Sequence, residues 1–204
     1  MKKSIFTTFL IMLIVVFTLT AATCFSQNGS GGGKSFNNTG ELRAYLYKQP
    51  INGPDKPIKI SMTINDPMLK NIADVIKSAG KYVSLNISGN VLTTIPNKAF
   101  QDCSTLVNII IPDSVTSIGY GVFANCTSLT NITIPSSVTT IGGWVFSNCN
   151  SLTSVTFQGK ITSDNFTLDL YVTTMGDLRD KYLAGGIGTY KTTNPGNNAV
   201  WTKQ

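Results

Sequence analysis

From residue 95 onward the apolar positions of the chain recur at a fixed spacing. Ile95, Ile118 and Ile141 are 23 residues apart, as are Phe100, Phe123 and Phe146, Cys103, Cys126 and Cys149, and Leu106, Leu129 and Leu152. A period in the range of 20–30 residues marks a solenoid, in which each coil buries its apolar side against its neighbours. Within a coil, Leu106, Ile109 and Ile111 read as a short strand, and Pro112 ends it because proline cannot donate to a ladder. Val122, Phe123 and Cys126 sit at helical or 3₁₀ spacing and predict the segment that closes the other side of the coil. The phenylalanines are expected to stack in a column, with Asp102, Asn125 and Asn148 bonding turn backbone. YVSLNISGNVLTT, before the first full row, reads as a degenerate earlier coil in which Leu85 and Ile87, after a one-residue shift, take the places of Ile109 and Ile111.

The flanks lack this period. LRAYLYKQP and KPIKISMTI predict two strands. Met68, Leu69, Ile72, Val75, Ile76 and Ala79 then give a helix one apolar face, with Asp66 as N-cap, Pro67 at the first position and Gly80 as the stop. After the repeats, Gly176 to Gly185 predicts a short helix and GTYKTT-NPGNN-AVWTK a hairpin. A solenoid must cover the apolar faces at its ends, so both flanks are expected to act as caps.

The repeat rows IPNKAFQDCSTLVNIIIPDSVTS, IGYGVFANCTSLTNITIPSSVTT and IGGWVFSNCNSLTSVTF resemble the BspA-type subfamily of bacterial leucine-rich repeats, whose unit is IG-x-x-AF-x-NC-x-SL-T-x-I-x-IP-x-SVT. The resemblance runs from Val83 to Phe157. The flanks KNIADVIKSAGKYVSLNISG and GDLRDKYLAGGIGTYKTTNPGNNAVWTK are similar to those of lipoprotein-type surface members of that group. It implies a surface-exposed, non-catalytic protein, and several members act as adhesins for host matrix proteins or other cells. The expected fold is therefore an α+β repeat solenoid, a leucine-rich-repeat stack of about four 23-residue coils between two capping elements. The expected division is a signal peptide over 1–23, a Gly/Ser-rich tether over 24–40, N-terminal strands and capping helix over 41–80, repeats over 81–158 and a C-terminal cap over 159–204.

Lys2 and Lys3, the uncharged apolar run from Ile5 to Leu19, and the small residues Thr20 to Thr23 have the three-part layout of a secretory signal peptide. The run is short for a bilayer span of about 20 apolar residues. Cys24 follows directly, and a cysteine there, before a polar glycine-rich stretch, resembles a bacterial lipoprotein signal in which the cysteine receives lipid. Ala21 and Thr23 depart from that signal, which has leucine three places before the cysteine and glycine, alanine or serine directly before it. Cleavage nearby, leaving a secreted protein, is the alternative. NGSGGGKS at 28–35 imitates a phosphate-binding loop, but Asn28 stands where G-x-x-x-x-G-K-[ST] needs its first glycine. A glycine-rich stretch after a removed leader reads as a spacer.

Charge and chemistry narrow the function. The chain has 16 basic and 10 acidic side chains, no histidine, and Glu41 as its one glutamate. Eight basic residues against four acidic ones lie between Lys34 and Lys81, whereas Tyr82 to Phe157 holds only Lys98 against Asp102 and Asp113. The repeats therefore lack the clustered Lys and Arg that phosphate neutralisation needs, which argues against nucleic acid. Without histidine the commonest general base and metal ligand are missing, so no enzyme activity, metal or cofactor is expected. Asp164 with Asp169, and Asp177 with Asp180, have no partner pattern for acid–base work. Cysteines on neighbouring coils ~4.8 Å apart are near disulfide reach, but buried free cysteine is a common core residue, and a thiol ladder is expected. The sequons at Asn37, Asn86, Asn125, Asn131 and Asn165 fit chance in a chain this rich in Asn, Ser and Thr.

One surface remains. Strand residues alternate faces, so inward Leu106, Ile109 and Ile111 leave an outward column of Ser84, Asn108, Asn131 and Ser154 and a second of Asn86, Ile110, Thr133 and Thr156. Solenoids use such uncharged sheet faces for protein contacts. The expectation is an exported, cell-surface or lipid-anchored protein that binds a protein ligand, host matrix protein among the classes considered. It would touch membrane only through a lipid anchor. The alternative is a structural, self-associating envelope component.

Overall fold

The computed structural model describes residues 33–64, 68–167, 175–196 and 198–204. The leader, Cys24, Asp66, Pro67 and Asp169 lie outside the described residues. Residues 32–204 form one compact unit.

Each coil contributes one strand to a continuous parallel sheet. β1 (Lys34–Phe36), β2 (Ile58–Thr63), β3 (Val83–Ser88), β5 (Leu106–Ile110), β7 (Asn131–Ile134) and β9 (Ser154–Phe157) pair in that order, all parallel. β10 (Gly188–Lys191) and β11 (Thr202–Lys203) then add antiparallel strands, giving eight in one sheet. A second sheet, which periodicity did not reveal, is made of two-residue strands at each bend. These are β4 (Thr94–Ile95), β6 (Ser117–Ile118) and β8 (Thr140–Ile141), paired in the 23-residue register. The last is extended by a bridge from Ile141 to Phe166.

The third side of the coil is a run of turns and not a helix. The N–H groups of Gly121, Phe123 and Asn125 donate to Gly143 O, Val145 O and Ser147 O of the next coil. Alternate groups close i→i−3 bonds, as in Ala124 N–H to Gly121 O and Cys126 N–H to Phe123 O. With half its donors spent between coils, this segment cannot make the i→i−4 bonds of an α-helix. Asp102, Asn125 and Asn148 take positive φ of 63°, 62° and 56° here. Their side chains do not bond turn backbone as expected. Asn125 Nδ2 donates to Asp102 Oδ1 at 2.6 Å and Asn148 Nδ2 to Asn125 Oδ1 at 2.8 Å, a ladder running from coil to coil.

The core follows the sequence columns. Phe100, Phe123 and Phe146 stack with centroids 5.8 and 5.9 Å apart and ring planes within 12° and 8°. Small hydroxyls tie each coil to the one before: Ser114 Oγ donates to Leu92 O at 2.8 Å and Ser137 Oγ to Val115 O at 2.7 Å. The coils approach too closely for a side chain at Gly142, where a Cβ would come within 2.6 Å of Gly119 C and Tyr120 N.

The first flank differs from expectation. LRAYLYKQP forms no strand: Thr39–Lys48 is helix α1, with Leu42 and Leu46 buried. Asn38 Oδ1 accepts the Glu41 N–H at 2.8 Å, the side-chain cap that starts a helix. Leu42, Tyr45 and Leu46 then fall on one helical stripe that packs on α2 (Met68–Ala79), so the apparent alternation is overruled. The tether expected to reach residue 40 also ends earlier, because Lys34–Phe36 is a strand. The flank is thus two further β–α coils of the same parallel sheet. α2 has the expected buried face of Leu69, Ile72, Val75 and Ile76, and Gly80 follows it at φ +59°. At the other end, after a 3₁₀ turn at Ser163–Asn165, α3 spans Leu178–Gly185. Phe157 packs there with Phe166, Tyr182 and Tyr190, centroids 4.2–5.9 Å away.

Candidate protein-interaction face

The outward positions of the sheet carry short side chains at a regular spacing. Val83, Leu85 and Ile87 of β3 are buried while Ser84, Asn86 and Ser88 between them are half-exposed. In β7, Ile132 and Ile134 are buried while Asn131 and Thr133 are exposed. The alternation of the pleat therefore projects short polar side chains from every coil. The register aligns Ser84 with Asn108, Asn108 with Asn131, and Asn131 with Ser154. It likewise pairs Asn86 with Ile110, and Thr133 with Thr156. Ile110 stands out as an apolar side chain 53% exposed in the middle of this polar face. Val107 departs from the alternation and is buried, at a register shift between Val83 and Ser84.

Four further residues extend the face. Lys59 and Ser61 of β2 align with Ser84 and Asn86, and Lys191 and Thr189 of β10 align with Ser154 and Thr156. The hydroxyls of Thr156 and Thr189 bond at 2.9 Å, tying the antiparallel strand to the last coil. Sequence reasoning missed these because β2 and β10 are outside the period. Yet I-K-I-S-M-T over 58–63 alternates inward and outward, and that signal was available. The face is consequently uncharged across the four repeat strands and has a lysine at each end.

The other candidate chemistry is absorbed by structure. Cys103, Cys126 and Cys149 are free and buried. Cys126 Sγ donates to Phe100 O and Cys149 Sγ to Phe123 O, both at 3.1 Å, and Cys103 Sγ lies 3.7 Å from Ala73 O of α2. Burial pushes the Cys103 and Cys149 thiols up to about 12, and Cys126 well above the ordinary range. Such thiols stay protonated and are poor nucleophiles. Asp177 accepts the Trp201 N–H at 2.8 Å and pairs with Lys181 at 3.7 Å, and Asp180 lies 3.6 Å from Arg179. These are structural contacts. Among the described residues no group of three or more His, Cys, Asp or Glu could hold a metal ion, and no helix is long and apolar enough to cross a membrane.

Comparison with known proteins places this geometry. The family model for the BspA type leucine rich repeat region matches residues 75–167 in 6 copies. Among solved structures, a leucine rich cell surface protein from Faecalibacterium prausnitzii A2-165 aligns at 24% identity over 66% of this chain and 34% of that one, with a TM-score of 0.34. This chain spans about a third of that protein's length. No curated protein gives a significant match. The matched region begins inside α2 and runs through the last parallel strand to Thr167, over the residues whose 23-residue register builds the sheet. With their strands, bends and phenylalanine–cysteine turns repeating in that register, residues 75–167 form a BspA type leucine rich repeat region.

Proposed function

We propose that this is an exported, non-catalytic, cell-surface protein that binds another protein through the outward face of its parallel sheet. One observation carries the reading: Ser84, Asn108, Asn131 and Ser154 line up in register as an uncharged, sparsely bonded row with the exposed Ile110 beside it. Four strands of such short side chains present hydrogen-bonding groups at ~4.8 Å intervals with little side-chain entropy to lose. The flanks act as caps. At one end, aromatic residues after Phe157 cover the last coil, and at the other, α1 and α2 extend the stack.

The size of the face sets the expected affinity. Eight strands at ~4.8 Å spacing and about four residues in depth offer roughly 450 Å², against about 800 Å² per partner in a standard interface. A single copy should bind weakly, and many copies on a surface should bind through avidity. Lipid attachment at Cys24 after removal of 1–23 would supply that display, and host matrix proteins, themselves polymeric, are a partner class suited to it. Edge-to-edge self-assembly is disfavoured, because the sheet ends in strands of three and two residues that carry Lys34 and Lys203.

The test is saturable binding of residues 25–204 to immobilised fibronectin and fibrinogen, beside a folded Asn131→Arg, Thr133→Arg double variant. Binding lost in the variant supports the sheet face. Binding retained moves the site to the flanks, and concentration-dependent oligomers without matrix binding favour the envelope-component reading. Incorporation of a palmitate analogue that disappears in Cys24→Ser reads the anchor separately.

A further inference from the structure

Because β1, β2 and β3 are parallel, the segments that lead into them emerge on one edge of the sheet. That edge gathers Gly33, the 49–57 loop and the 80–82 turn. The loop is fixed: Asn52 Nδ2 donates to Tyr82 O at 2.8 Å and to Lys56 O at 3.1 Å, while the Tyr82 N–H donates to Asn52 Oδ1 at 3.1 Å. This clamp holds Ile51 outward, 94% exposed, the most exposed large apolar side chain among the described residues. Tyr47, 57% exposed, stands four residues before it at the end of α1, its hydroxyl anchored to Ser78 O at 3.3 Å. Lys48, Lys56 and Lys59 are exposed in the same stretch and Lys81 is half-exposed on the adjoining turn, with Asp55 as the one acid. The local balance is four minus one, or +3. The segments entering β5, β7 and β9 carry no net charge, with Lys98 and Asp102 as their charged residues, so the lysine excess is a feature of one end of the edge.

Scattered exposed apolar residues are ordinary on protein surfaces. A clamped loop with an exposed isoleucine, beside a tyrosine at the end of a helix and among several lysines, is the composition of an interfacial contact. There the apolar tips enter the headgroup boundary and the ammonium groups meet lipid phosphates. We propose that this edge docks on a bilayer containing anionic phospholipid. The chain enters the fold at Gly33, on this edge, nine residues after Cys24. Nine residues span at most about 30 Å. On the lipid-anchor reading, which this inference extends, the edge would be held beside the headgroups with the sheet free to meet a partner.

Residues 25–204, whose core lies within 33–204, are sedimented with vesicles of phosphatidylcholine alone or with ~30% phosphatidylglycerol. Binding to the anionic vesicles alone, weakened by salt, is expected. Lys48→Glu with Lys56→Glu should reduce it by roughly tenfold or more, each lysine near such a surface contributing roughly fivefold. Lys98→Glu with Lys160→Glu has the same net charge away from this edge and should bind nearly as the parent does. A polarity-sensitive dye on Ile51→Cys, selective because the other three thiols are buried, should shift to the blue on anionic vesicles. No binding, equal binding to neutral vesicles, equal loss in both double variants, or an unshifted dye would each overturn the proposal. The chain tested lacks Cys24 and no matrix protein is present, so neither the anchor nor the sheet-face reading fails with it.

Discussion

At the scale of the residue, the cysteine ladder shows how a repeated side chain is recruited. Each thiol is aimed at a carbonyl one coil back, and for Cys103 the preceding partner is α2, which stands where an earlier coil would. Burial is the first cause of the raised thiol pKa, to about 12 for Cys103 and Cys149. The folded state therefore holds these protons after the unfolded chain, near its ordinary 9.0, has released them. Their contribution to stability is whole below pH 9 and is lost as pH rises toward 12, on the order of 1 kcal/mol per pH unit for each thiol. Melting residues 25–204 between pH 8 and 11 should show a falling midpoint, and Cys149→Ala should flatten that slope while lowering stability at pH 8. Alkylation without reduction should modify no thiol in the folded protein and all three after denaturation. A pair left unmodified in denaturant would mean a disulfide and refute the ladder.

At the scale of the element, α1 is the instructive case. Read for alternation, Leu42, Ala44 and Leu46 suggest a strand. Read for its start, Asn38 with Glu41 three residues on is the signature of a capped helix, and the cap bond forms. The signal was legible but was outvoted by a period-2 pattern that fits equally well over so short a window. Asn38→Ala should cost about 1 kcal/mol in urea unfolding, and Asn38→Asp almost nothing. The turn segments failed differently. Their apolar spacing was read correctly, but their donors are committed to the neighbouring coil, a contact that no single repeat contains.

At the scale of the whole molecule, the repeats make stability a sum of nearest-neighbour terms. Removing residues 118–140 takes out one period and joins Ser117 to Ile141, the register equivalent of Ile118. That chain should fold cooperatively with a melting temperature lower by on the order of 10 °C. Removing 118–134 shifts the register, sets Phe146 out of line with Phe100, and should leave no cooperative transition. Circular dichroism on both chains distinguishes a modular stack from a single indivisible core. The two ends do not share this modularity, since the aromatic residues around Phe157 have no counterpart one period earlier.

The sequence by itself determined whatever depends on the period. The columns of phenylalanine, cysteine and leucine, the parity of the strands and the outward rows from Ser84 to Ser154 all follow, because side chains one period apart must become neighbours when coils stack. Tertiary structure decided what depends on which surface covers which. It made α1 a helix by giving Leu42 and Leu46 the face of α2 to bury against. It turned Asp102, Asn125 and Asn148 toward one another, since a stacked neighbour offered a nearer partner than the turn backbone. It added β2 and β10 to the outward face, and it clamped Asn52 to Tyr82, thirty residues away in sequence, because hydrogen bonding between non-repeating segments has no period to announce it.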